Sequence, residues 1–342
     1  MTKNDSLILK GVALIFMVWH HLFWDDSFTA FYTSIGLFIA GKPIEQIIAL
    51  CSDPAIDAFV FLSGYGLYKV YEQRKTGFIA SLVGNIKRGL RLYIHYWITL
   101  AIFLPIAGYM LGFDKYPQNL HWLMLNMTGI LTTYNGEIWF LFPYVQLVLF
   151  SWLFFKFTDK CHWSIVLVFG LALHVVQTMN HDFFYLFTRQ IKPMFLPFLF
   201  GMLTAKMVDF GKMRAFFKGR VMLGYALLLG VCLLLMSLVA WILTPYYAHT
   251  VRPFFATTIC ILLACLPHTA IVDRVLMALG NRIASIWFIH SWFCYTLCHD
   301  FIYSFKYAIP IFIVLVLISY VCSIPIDYVH KRILRLVGLA KK

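Results

Sequence analysis

Ionisable residues are scarce in this chain, and those standing inside or against long apolar runs are where its chemistry should lie, because a charged group at membrane depth is costly unless paired or hydrated. Lys10 and His21 form the first such set. Their spacing of eleven residues is close to three turns at about 3.6 residues per turn, which places both on one helix face roughly 16 Å apart along the axis. His20 points about 100° away. An imidazole in this position can take a proton from a hydroxyl, and the lysine can meet an anion; the plainer alternative is a snorkelling lysine with an interfacial histidine. Asp57 opens a second segment that continues to Ser63, Gly64, Tyr65 and Gly66. A carboxylate at the outer start of the second helix lies at about the depth His21 reaches, where it can orient an imidazole and stabilise its protonated form. Helix capping by Asp57 and close helix packing at Ser63, Gly64 and Gly66 are the structural alternatives.

Arg88, Arg91 and His95 make a third set, at i, i+3 and i+7 on one face. Two guanidinium groups at that spacing suit a polyphosphate, while an ordinary basic flank at a cytoplasmic helix end accounts for them equally. A fourth set is diffuse. Glu137 and Trp139 stand at the outer start of another apolar run, and His290 lies well inside a late one. Trp139 also reads as an aromatic-belt anchor, and His290 as a satisfied core histidine. His174 and His299 have no motif around them. The eight cysteines lie mostly inside apolar runs without a CxxC pair, so they read as small apolar side chains and not as a disulfide framework or a zinc site. No metal is expected.

The elements that must carry these residues follow from composition. Of 342 residues, 61% are hydrophobic and 13% charged, against about 45–50% and 25% in an ordinary soluble domain. The expected fold is all-α: a polytopic integral membrane protein of about ten transmembrane helices, built as one domain over residues 1–342. The spans read as Leu7–Trp24, Ala55–Tyr71, Leu90–Leu111, Glu137–Phe157, Trp163–Met179, Ile191–Val208, Val221–Thr244, Val251–Ala270, Ile283–Tyr303 and Ala308–Val329. Ile35–Leu50 and Leu120–Tyr134 read as interfacial or re-entrant. The first span holds Lys10 and lacks a small-residue cleavage site after it, so it reads as a permanent helix and not a cleaved signal. An even number of spans puts both termini on one side. Of the 28 lysines and arginines, only Lys42, Lys115, Arg189, Lys192, Arg252 and Lys306 then fall on the opposite side, leaving 22 with the termini. That asymmetry makes both termini cytoplasmic. The net charge of +13 is spent on helix flanks, with no basic arm and no nucleic-acid motif.

Taken together, these stretches resemble the acyltransferase-3 family. That family carries an arginine and a histidine separated by ten residues in helix one, then a D-x-F-F-x-x-S-G-[FY] segment, an RxxR at the start of helix three, and a late G-x-x-S-x-x-x-[FY]-x-x-H. The matches here are Lys10 through His21, Asp57 through Tyr65, Arg88 through Arg91, and Gly280 through His290, in family order. Lys10 departs from the family arginine and loses its bidentate fork. The late motif is loose, with Asn281, Arg282, Ile283 and Ala284 ahead of Ser285 and no tyrosine following.

The resemblance implies transfer of an acyl group, usually acetyl, from cytoplasmic acyl-CoA to a hydroxyl of an extracytoplasmic or lipid-linked carbohydrate of capsule, exopolysaccharide or O-antigen type. It implies catalytic roles for His21 and Asp57, donor binding by Lys10, Ser63, Arg88 and Arg91, and acceptor binding by Glu137, Trp139 and His290. Acetyl-CoA is the expected acyl donor, and the bilayer of a bacterial plasma membrane and polysaccharide-assembly proteins are the expected surroundings. The chain ends soon after the tenth span, so the extracytoplasmic hydrolase-like domain of some relatives is not expected. Two other classes are weighed against this. A transporter or glycan flippase suits ten helices with intramembrane histidines, but the matching broken helices that transporter halves often share are not evident. Haem ligation would need histidines arranged as recurring pairs on two helices, which these are not.

Overall fold

The computed structural model describes residues 1–75, 77–179, 192–241 and 245–340, and its regular structure is almost wholly helical. In chain order the elements are α1 (Lys3–Phe23), a hairpin of β1 (Phe38–Ile39) and β2 (Lys42–Pro43), α2 (Ile44–Cys51), α3 (Ala55–Arg74), α4 (Phe78–Leu111) and α5 (Leu120–Thr128). There follow α6 (Leu141–Lys160), α7 (Trp163–Met179), α8 (Lys192–Met207), α9 (Phe210–Lys218), α10 (Val221–Trp241), α11 (Pro245–Cys265) and α12 (Ala270–Asn281). The chain closes with α13 (Ile283–Ser291), a π-helical turn over Trp292–Leu297, α14 (His299–Tyr303) and α15 (Ala308–Leu336).

Each of the ten apolar stretches read from the sequence falls on helix. Six helical stretches are long and apolar enough to cross a membrane, and a seventh arises if α8 and α9, bent by 79° where they meet, count as one. Shorter apolar helices cover Trp163–Val175, Val251–Cys265 and Ile283–Leu297. Ile191 and residues 242–244, at the edges of two stretches, lie outside the described residues, as do Arg189, Lys341 and Lys342. The late stretch Ile283–Tyr303 runs as helix through the π turn to Leu297 and breaks at Cys298, before α14. The two stretches read as interfacial are a short hairpin with α2 and the nine-residue α5. Large apolar side chains point outward along the most apolar helices: Leu229 is 60% exposed on α10 and Leu317 is 57% exposed on α15. Continuous apolar faces of that extent are foreign to a water-soluble surface and natural to a helix in hydrocarbon, where the backbone satisfies itself.

Local signals explain where the helices start. Thr2 and Asp5 form a reciprocal capping box at the head of α1. Asp209 accepts from the backbone of Gly211 and Lys212, restarting a helix after the α8–α9 bend. Asn135 accepts from Glu137 N and opens the 3₁₀ turn Gly136–Phe140, so Glu137 and Trp139 lie in that turn ahead of α6. Ala40 and Gly41 both take positive φ, which closes the two-residue hairpin.

The chain packs as two compact units: unit one is Met1–Thr29, Ser34–Thr76 and Ser151–Asn281, and unit two is Ala30–Thr33, Gly77–Phe150 and Arg282–Lys342. In unit one the closest crossings are α3 with α8 and α1 with α12, and glycines make both. A Cβ at Gly64 would overlap the Phe198 carbonyl, and one at Gly201 the Phe61 carbonyl. Gly11 faces the Leu276 carbonyl and Gly280 the Leu7 carbonyl in the same way. Two of the glycines read as motif residues, Gly64 and Gly280, are therefore packing residues that let backbones touch. Gly64→Ala is expected to cost roughly 1–3 kcal/mol through overpacking, whereas Gly66→Ala, whose Cβ meets nothing, should be neutral. The fraction remaining monodisperse in detergent across a heating series reads the difference. The lower end of α3 is tied to α6 by Tyr68 and Tyr71, which donate to the two oxygens of Asp159 at 2.7 and 3.1 Å. Unit two is built on α4, α13 and α15, with Asn85 of α4 donating to Val148 O at 2.8 Å.

Candidate active site

Several of unit one's buried polar residues are linked near the C-terminal end of α1. His21 is buried there, and its ring lies 5.4 Å from that of His20. His20 Nδ1 donates to Ala49 O at 2.8 Å, since a carbonyl can only accept, and its Nε2 stands 4.0 Å from Asp53 Oδ1. Asp53 sits between α2 and α3 and is ion-paired to Nη1 of Arg252 from α11. Arg252 also reaches Asp57, with Nε 3.6 Å from Oδ2. Asp57 is only 1% exposed, and neither of its oxygens has a hydrogen-bond donor among the described residues. The capping alternative for Asp57 fails, because Pro54 occupies the N-cap and Asp57 lies inside the first turn of α3. Ser63, on the same helix, donates to Phe59 O at 2.9 Å, the back-bond common to serines in helices. Lys10 is half-buried, eleven residues before His21 on α1.

Unit two carries the basic residues of α4. Arg88 Nη1 donates to Asn85 Oδ1 at 3.1 Å, and Arg91 Nε donates to Leu339 O at 2.6 Å. The four Nη hydrogens of Arg91 make no hydrogen bond among the described residues, leaving a forked donor surface suited to a phosphate. His95, one turn further, is buried in a chain of side chains. Its Nε2 is 2.8 Å from Ser285 Oγ, and Ser285 in turn donates to Asp327 Oδ1. A hydroxyl has one proton, so with that proton on the carboxylate the Ser285 oxygen accepts from His95. Arg282 Nη1 binds the second oxygen of Asp327 at 2.7 Å. His330 stacks on His95 with centroids 4.1 Å apart and donates from Nε2 to Arg91 O at 2.9 Å. Arg282 and Ser285 thus bind one carboxylate, with His95 beyond the serine, and Arg91 joins the group through its carbonyl and His330.

A third polar group, also in unit two, joins the late motif to the Glu137 turn. Trp287 Nε1 donates to Glu137 O at 3.1 Å, Ser291 Oγ donates to Asn135 Oδ1 at 2.8 Å, and Phe140 meets the Trp287 ring edge-on at 5.2 Å. The buried His290 donates from Nδ1 to Trp287 O at 2.9 Å and approaches Ile286 O at 3.1 Å. That fixes the proton on Nδ1 and turns Nε2 into the basic nitrogen of the neutral ring. Trp139 stacks edge-on against Phe140 at 6.0 Å. Among the described residues no cluster of His, Cys, Asp and Glu is arranged to hold a metal ion.

The family model described as an acyltransferase domain matches residues 6–328, nearly the whole chain. The chain belongs to the acyltransferase-3 family. It is a multi-pass membrane acyltransferase, and the sequence resemblance that pointed to that family stands. No curated protein and no solved structure matches it.

For this acyltransferase, sequence reasoning named His21, Asp57, Arg88, Arg91 and His290 but passed over their companions. Arg252 counted only as an outward-facing cation, and Arg282 as a disturbance of the late motif. Asp53, Asp327 and His330 were given no role, although Asp327 falls inside the last apolar stretch, Ala308–Val329. The signal for all of them was the same one that exposed Asp57: an ionisable residue at the edge of an apolar run requires a partner.

Proposed function

We propose that this protein transfers an acyl group, acetyl in the first instance, from cytoplasmic acyl-CoA to a hydroxyl of an extracytoplasmic or lipid-linked carbohydrate. It acts in the plasma membrane of a bacterium, with about ten crossings, both termini cytoplasmic and residues 1–342 as one acyltransferase domain. The observation that carries this reading is a buried imidazole, His21, three turns along one helix face from a cation, Lys10, in a chain of acyltransferase family.

In the proposed step, His21 takes the proton of the acceptor hydroxyl as its oxygen attacks the thioester carbonyl. The carbon–sulfur bond breaks, coenzyme A leaves as thiolate and takes up a proton, and the products are the ester and free coenzyme A. Arg88 and Arg91 are assigned to the coenzyme phosphates. Lys10 contributes a further cation and Ser63 a hydroxyl on the donor side. Glu137, Trp139 and His290 are assigned to the acceptor, where an aromatic surface and fixed donors and acceptors suit a sugar. Polysaccharide-assembly proteins are the natural suppliers of such an acceptor.

The test is coenzyme A release by purified protein in nanodiscs supplied with acetyl-CoA and a glycan acceptor. Arg88→Ala/Arg91→Ala is expected to raise the apparent KM for acetyl-CoA about tenfold or more per lost charge-assisted contact, at roughly 1.5–3 kcal/mol each, with a smaller change in kcat. If wild-type protein neither binds nor consumes acetyl-CoA, the donor assignment is wrong.

A further inference from the structure

Unit one encloses a cavity of about 260 Å³ among α1, α2, α3, α10 and α11. Its walls are apolar, and they share a direction. On α1 the lining residues Leu9, Ala13 and Phe16 fall on one face, and the next residue of that stripe, four beyond Phe16, is His20. On α11 Ala256 and Cys260 line the wall, and the residue four before Ala256 is Arg252. Between α2 and α3 the lining residues Ser52 and Pro54 flank Asp53. Three walls therefore run on into three polar residues, and those three meet: Arg252 pairs with Asp53, and His20 stands 4.0 Å from it. The helix stripes therefore lead from an apolar slot toward a polar cluster that lies just beyond its lining residues.

The polar cluster has a definite chemistry. Among the described residues two carboxylates, Asp53 and Asp57, share the Arg252 guanidinium. The Asp57 oxygens are buried without hydrogen-bond donors among the described residues, one residue before the lining residue Ala58. A buried acceptor lacking a donor is expensive, and the donor that fits is a neutral hydroxyl: a phosphate would bring negative charge to a cluster already rich in it. At about 30 Å³ for each water-sized group the slot accommodates roughly eight or nine methylenes. Phe16 on its wall is 41% exposed, so the slot is not sealed from the surrounding lipid.

We propose that this cavity holds a hydrocarbon chain of a neutral, hydroxyl-bearing lipid, with its head group at His20, Asp53 and Arg252. It rests on the acyl-transfer reading in one respect, that this lipid is the anchor of the acceptor. The enzyme then acts on lipid-linked carbohydrate and not on a free sugar.

The test uses octyl glucoside carrying a diazirine on its chain, photolysed with wild-type protein in nanodiscs, with labelled peptides located by mass spectrometry. Labelling is expected within residues 9–16, 48–58 and 256–263, and about tenfold weaker for the matching octyl phosphate. Ala256→Phe fills the slot and should reduce labelling about tenfold; Cys232→Phe, at an exposed rim position, should do likewise where the first variant does not fold. Labelling spread over other helices, unchanged in a folded filled variant, or equal for the phosphate overturns the proposal. Site-specific labelling without acetyl-CoA consumption would overturn the acyl-transfer reading while leaving the lipid site. Turnover on a free sugar with labelling elsewhere would do the reverse.

Discussion

His21→Ala is expected to reduce acetyl transfer by about 10²–10⁴-fold, the range associated with loss of a positioned general base. The loss should appear in kcat, with coenzyme binding measured separately left intact. The imidazole is buried near the C-terminal end of α1, where water is a poor substitute for it. His20→Ala is the informative companion. Its ring is committed to Ala49 O and faces Asp53, so its removal should act chiefly on the KM for acceptor. If His21→Ala turns over like wild type while His20→Ala does not, the base is His20 with Asp53 as its partner. If neither matters, His290, whose Nδ1 donates to a backbone carbonyl, becomes the next imidazole to replace.

Much of the scaffold is legible in the sequence because the bilayer enforces one rule: a segment crossing hydrocarbon must be apolar and helical. That rule locates α1, α4, α10 and α15 without knowledge of their neighbours. It does not reveal interruptions. The break at Cys298 and the bend at Val208 and Asp209 are made of residues as apolar or as ordinary as those around them. Nor does it separate the chain into two units, which depends on which helices touch.

The site divides the same way. Lys10 with His21 and Arg88 with Arg91 are legible because helical periodicity sets them on common faces. The Arg252–Asp53 pair joins residues 199 apart in sequence, and Ser285 meets Asp327 across 42. No local spacing encodes such pairs; only the requirement that each ionisable group at depth find a partner hints at them. The motif glycines show the converse. Gly64 and Gly280 read as part of a chemical signature, yet each is explained by a carbonyl of the neighbouring helix lying where a Cβ would stand.

The second large effect is one of stability. Arg252 is 7% exposed and is the cation shared by Asp53 and Asp57. Arg252→Ala removes the positive charge and leaves both carboxylates behind, and breaking a buried pair from one side typically costs about 3–5 kcal/mol. The variant should lose most of its monodisperse fraction at temperatures wild-type protein survives. Arg252→Lys keeps the charge without the fork and should fall between. Adding Asp57→Asn to Arg252→Ala removes one stranded charge and should restore part of the loss, with a coupling of about 0.5–3 kcal/mol between the two changes. Equal thermal survival of Arg252→Ala and wild type would show that the cluster contributes nothing to the fold. The single variant Asp57→Asn then separates two roles for that carboxylate. A stability loss with kcat retained makes it a partner of Arg252, because the guanidinium then keeps only Asp53 of its two carboxylates. A loss of kcat in a protein as stable as wild type makes it an electrostatic support for the catalytic imidazole, as its place in the family motif implies.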